Sequence, residues 1–318
     1  MLFGCNKKDS KSIIEKYRKT LESESKYTLT GQMDIVSNEE LYHYDVIVDY
    51  MKDDYYRASL TNKDSHHEQI ILKNTGGVYV ITPSLNKSFK FQSDWPYNSS
   101  QAYILSSLLK DLVNDSNVLL EEREDGYVLS STVNYPNNTS LVSQKIVFNS
   151  ECLPTEVHVF DKEGVEAITF KISKIDFDSK LKVEDFELDT IDNSLENEES
   201  AKSTSTIDQV VYPMYLPLGT KFKSEETIKT DKEERVILTF TGDKSFILIE
   251  EASVRPDEFE VTTTSGELVF YENVLGTLSD STLNWTMDGK DYYIIGNNLT
   301  NEELLKVASS TSVVSLTK

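Results

Sequence analysis

The side chains with which this chain could do chemistry are its histidines, cysteines, serines and clustered carboxylates, and their spacing decides whether they do. His66-His67-Glu68 is the one histidine cluster, and it invites a zinc reading. Adjacent positions of a regular strand point to opposite faces, so His66 and His67 cannot both ligate one ion, and no cysteine or further histidine lies at zinc-ligand spacing. His43, beside Tyr42 and Tyr44, and His158 stand alone and read as strand-surface residues. A serine nucleophile needs a base and an oxyanion device, and no Gly-x-Ser-x-Gly elbow occurs. With twelve glycines in all, no phosphate-cradling or dinucleotide-binding glycine loop occurs either. The acidic runs Glu121-Glu122-Arg123-Glu124-Asp125 and Glu250-Glu251 read as strand ends and solvated turns, not as a paired acid and base. The expectation is a protein without enzymatic activity, metal or cofactor.

Cysteine chemistry points elsewhere. Leu2-Phe3-Gly4-Cys5 has the pattern of a bacterial lipobox, a hydrophobic residue and a small residue before the cut and then Cys, followed by the polar tether Asn6 to Ser10. The Cys5 thiolate would take a diacylglyceryl group and become the mature N-terminus. No basic or apolar leader segment precedes it here, so the sequence reads as trimmed or as starting at an internal Met. Cys152, in the turn Phe148 to Pro154, is the other cysteine and then has no disulfide partner; it reads as a turn or packing residue. No run of about 18 apolar residues is present, so a membrane contact would rest on Cys5. The 318 residues carry a formal charge of -22, with pI near 4.6, which repels nucleic acid and anionic lipid surfaces alike.

The remaining chemically expressive feature is aromatic. Phe89, Phe91, Trp95, Tyr97 and Tyr103 gather at one strand-to-helix junction, and large rings with polar tips suit the mouth of a cavity that is apolar within and wet at the rim. The elements that position them are written in periodicity. Glu68–Lys73, Gly77–Thr82 and Ser88–Gln92 alternate with period 2, and Ser99 to Val113 switches to a helical period through Tyr103, Leu105, Leu108, Leu109 and Leu112. Further strands are expected at 26–36, 41–51, 55–62, 118–122, 127–134, 141–148, 155–160 and 165–177. An amphipathic helix from Ser12 to Leu21, capped by Asp9 or Ser10, opens the unit. A meander this long must curl to shield its apolar face.

The segment TPSLNKSFKFQSDWPYNSSQ, Thr82 to Gln101, resembles the LolA-like family of lipoprotein-carrier folds, in its Gram-positive sporulation and germination branch. The resemblance is specific in those residues and looser over the rest of 11–190. It implies an α+β fold: a half-open antiparallel barrel plugged by helices over 11–188, behind a lipobox and tether at 1–10. By resemblance the protein would be tethered at the extracytoplasmic face of the cell membrane or of the spore membrane, and bind a protein partner such as a cortex or envelope enzyme. The family implies two alternatives: a carrier that shields a lipid or other hydrophobic ligand, and a stress sensor that binds an anti-sigma factor.

Residues 189–208, DTIDNSLENEESAKSTSTID, lose periodicity and read as an acidic linker. Residues 209–318 then form a smaller α+β unit. It opens at Tyr215-Leu216-Pro217, has strands at 235–241 and 245–250, and closes with a helix in which Thr300 and Glu303 form a capping box.

Overall fold

The computed structural model describes residues 9–191, 206–231, 233–253, 255–256 and 258–313. The expected opening helix is α1 (Ser10–Ser23), with the Asp9 carboxylate accepting from the Ser12 N–H at 2.8 Å. A meander follows: β1 (Lys26–Ser37), β2 (Glu40–Met51), β3 (Tyr55–Asn62), β4 (Glu68–Asn74), β5 (Gly77–Thr82) and β6 (Lys87–Phe91). After α2 (Leu105–Asn114) it resumes as β7 (Leu119–Glu122), β8 (Gly126–Thr132), β9 (Leu141–Asn149), β10 (Pro154–Asp161) and β11 (Glu166–Asp176). Burial alternates along β1, so Tyr27, Leu29, Met33 and Ile35 face inward.

The two halves of the meander join where β11 pairs with β1, across a bulge at Thr30/Gly31. Gly31 is required there, since a Cβ would stand 2.5 Å from the Lys171 carbonyl oxygen. β6 and β7, at opposite ends of the meander, do not pair with each other, so the sheet stays a half-open barrel of the α+β kind that the LolA-like resemblance implies. Ile13 and Tyr17 of α1 and Leu105, Leu108 and Leu112 of α2 fill its concave face, and the Tyr17 hydroxyl donates to the Leu105 carbonyl at 2.9 Å.

Two expectations are corrected. The second helix begins at Leu105, not Ser99. The preceding segment is held out of the helix by tertiary bonds: the Ser100 N–H donates to the Asn134 carbonyl at 2.7 Å and the Gln101 N–H to the Ser107 hydroxyl at 2.8 Å. His66 and His67 are not on a strand. His66 has φ 59° in the turn before β4, and His67 lies against Gly289.

Beyond residue 206 a short ribbon pairs β12 (Val211–Pro213) with β21 (Thr311–Val313). A seven-stranded antiparallel sheet is built from β13 (Thr220–Lys229), β14 (Glu233–Gly242), β15 (Phe246–Ser253), β17 (Glu267–Tyr271), β18 (Val274–Ser279), β19 (Thr282–Met287) and β20 (Lys290–Ile295). Its core is covered by α3 (Asn301–Ser309), whose N-terminus carries the expected Thr300/Glu303 capping box.

One strand leaves that sheet. β16 (Glu260–Thr264) runs parallel to β6 and becomes the terminal strand of the first sheet. The Lys87 ammonium reinforces the junction, 2.7 Å from the Asp291 carboxylate, as does Ser37, whose hydroxyl donates to Glu272 at 2.6 Å. The hairpin β17–β18 is apolar on both faces. Leu268, Phe270 and Leu275 enter the half-barrel core, whereas Val269, Tyr271, Val274 and Leu278 enter the core of their own sheet.

Candidate functional site

Between the concave face of the half-barrel and the β17–β18 hairpin lies a cavity of about 190 Å³. Met33 and Ile35 of β1 and Ile71 of β4 line it from the barrel, Leu268, Phe270 and Leu275 from the hairpin. Its alternating barrel strands supply apolar side chains to the inside, and the two-sided hairpin supplies the opposite wall. It opens toward solvent at Val36 and Val165, which are 42% and 57% exposed.

The mouth is acidic. Asp161, Glu166 and Glu272 line the cavity, and among the described residues no Lys, Arg or His does. Partial burial works against ionisation of Glu166, but hydrogen bonds from His158 and Thr169 hold its carboxyl below the ordinary carboxylate range. Deeper in, burial pushes the Tyr103 and Tyr135 hydroxyls well above their usual range, so both stay neutral. A polar vestibule of about 310 Å³ adjoins the cavity, lined by Gln92, Asp94, Asn98 and Asn137.

Of the five aromatic residues singled out in the sequence, Trp95 and Tyr103 line this cavity and Phe89, Phe91 and Tyr97 do not. Phe91, Trp95 and Tyr103 are buried in the core, and Phe89 packs against it half-buried. The Trp95 ring meets Tyr56 edge-on at 5.9 Å.

Tyr97 is 40% exposed and belongs to a separate polar cluster. Its hydroxyl donates to Asp54 and lies 3.2 Å from the Tyr56 hydroxyl, with the Lys73 ammonium 4.6 Å from its ring centre. Burial and the Asp54 carboxylate push the Tyr97 hydroxyl far above its ordinary range. Lys110 of α2 donates to the Tyr97 carbonyl, so the cluster fixes the approach to that helix instead of forming a cavity wall.

The periodicity that found the barrel strands did not indicate the hairpin residues Leu268, Phe270, Glu272 and Leu275. The signal was present as a nearly continuous apolar run on a short hairpin, the mark of strands covered on both faces. The arrangement can enclose an apolar group and hold a positive charge at its mouth. Among the described residues no group of three or more His, Cys, Asp or Glu side chains is placed to hold a metal ion. Cys152 is buried with φ 63° in the β9–β10 turn; Cys5 lies outside the described residues.

No protein-family model matches the chain. The sporulation protein YdcC of Bacillus subtilis strain 168 is 36% identical over 313 residues, covering 98% of this chain and 92% of YdcC. Among solved structures, a chain of the Pseudomonas aeruginosa MucA/MucB complex aligns with TM-score 0.34 at 12% identity, over 95% of this chain and 99% of that one. A LolA superfamily protein from Nitrosomonas europaea aligns with TM-score 0.32 at 13% identity, over 57% of this chain and 98% of that one. The identity to YdcC along nearly the whole of both sequences places this chain in the family of that sporulation protein.

Proposed function

We propose that this protein is a non-enzymatic binding lipoprotein of sporulation, held at the extracytoplasmic face of the membrane by a diacylglyceryl group on Cys5, and that it acts by engaging a protein partner. The observation that carries the reading is how the concave face is filled. Leu268, Phe270 and Leu275 sit where a carried acyl chain would lie. They leave a hollow of about 190 Å³ whose wall mixes apolar side chains with Gln101, Asn138 and Glu272 and which gives onto a polar vestibule, whereas sites that enclose a drug-sized apolar ligand offer roughly 300–1,000 Å³ of mostly apolar lining. A carrier needs that volume, whereas a scaffold needs only a shaped surface. The anchor follows from the lipobox, and among the described residues no helix is long and apolar enough to cross a membrane.

The test is to crosslink sporulating cells, purify the protein from their membranes, and examine it by quantitative and native mass spectrometry. The expected result is one protein recovered in stoichiometric amount and no bound acyl ligand. Stoichiometric lipid without a protein partner would overturn the reading in favour of the carrier.

A further inference from the structure

We infer that the cavity mouth is a docking site for an extended segment of the partner that inserts one large apolar side chain flanked by lysine or arginine. The inference rests on the partner reading above and names its surface. Three observations converge on it. The first is size. An engineered apolar cavity of about 150 Å³ accepts benzene, so a space of about 190 Å³ suits a single leucine or phenylalanine side chain, with the polar vestibule beside it left for the rest of a peptide segment.

The second is the lip. Val36 and Val165, which line the opening, are 42% and 57% exposed. Two aliphatic side chains in water beside a hollow form a landing surface that a partner would desolvate. The third is charge. The site is lined by Asp161, Glu166 and Glu272; Glu166 is paired with His158 at 3.0 Å, and among the described residues no Lys or Arg forms an ion pair with any of the three. The chain as a whole carries -22, so an acidic segment would be repelled and a basic one drawn in.

The site can be probed on the full chain with three short fluorescein-labelled peptides, read by anisotropy. The first has a central phenylalanine between pairs of lysines, the second an alanine in its place, and the third glutamates in place of the lysines. The first should bind at least about tenfold more tightly than either of the others, and raising sodium chloride to about 0.5 M should weaken it, because ionic screening shortens the reach of the rim charges. Ala167→Leu, which fills the cavity, and Val36→Asp, which breaks the lip from an exposed position, should each reduce binding at least about tenfold. Val36→Asp serves if Ala167→Leu fails to fold.

Absence of peptide binding, equal binding of all three peptides, or unchanged binding by a folded cavity or lip variant would overturn the inference. Displacement of the lysine peptide by oleate would instead assign the space to a lipid. If both variants still crosslink the wild-type partner in cells, the partner reading stands and this surface is not the contact.

Discussion

The Ser100 hydroxyl donates to the Asp111 carboxylate at 2.9 Å, tying the segment that forms one wall of the cavity to the last turns of α2. Gln144 of β9 donates to the other carboxylate oxygen at 3.1 Å. Despite these bonds, burial dominates and pushes the Asp111 carboxyl up to about 6. Because the folded-state value lies above the unfolded one, the protonated form is favoured on folding. Its stabilisation is fully present below about pH 4 and is lost as pH rises through about 6.

Asp111→Asn mimics the protonated form and keeps an acceptor for Gln144. The variant is expected to be more stable than the wild type near pH 7.5 by on the order of 2 to 3 kcal/mol, with the advantage vanishing near pH 4. Urea unfolding across that range measures it. A constant difference at all pH values would remove Asp111 as the source.

Trp95→Ala addresses whether that ring is core or cavity wall. Trp95 touches the cavity, but it is 3% exposed and packed edge-on against Tyr56, so core packing dominates its energetics. Truncation is expected to cost about 3 to 5 kcal/mol, as for other buried aromatic residues. The wild-type indole fluorescence is expected not to respond to long-chain lipid. A loss below about 1 kcal/mol, or a saturable lipid response, would show a ring lining open space.

The strands were legible because one face of each is buried and the other wet, which writes period 2 into β1, β3 and β10. The start of α2 was not. Tyr103 shares the helical spacing of Leu105 and Leu108, but the bonds from Ser100 to Asn134 and from Gln101 to Ser107 are tertiary and leave no trace in local pattern. The same limit applies at the site. Trp95 and Tyr103 belong to the segment the sequence marks out, whereas Leu268 and Leu275 reach the same cavity from a distant hairpin. The attachment of β16 to β6 is likewise a pairing by backbone, and Glu260 to Thr264 carry no apolar stripe to announce it.

Cys5→Ser tests the anchor. The full-length gene product is expected to partition into detergent and to incorporate radiolabelled palmitate, and the serine variant to do neither. Acylation at a single cysteine supplies strong attachment only through its buried chains, about 0.8 kcal/mol per buried CH₂. Membrane retention of the serine variant would mean that some other feature holds the protein there.

Limited proteolysis tests the division into residues 11–188 and 209–318. Within the intervening 189–208, Ile191 is buried in the cluster around Phe186 and Ile207 packs against the second core, but the sequence between those two has little apolar surface to bury, and the first cuts are expected there. The two fragments are nevertheless expected to elute as one species, because β16 completes the first sheet, Lys87 pairs with Asp291, and Leu268 and Leu275 sit in the barrel core. Gel electrophoresis reads the cut positions and size-exclusion chromatography reads the association. First cuts within Val78 to Phe91 would contradict the division. Separation of the fragments under native conditions would mean that the hairpin and β16 contribute too little to hold the cavity closed, which would also reopen the concave face to a larger ligand.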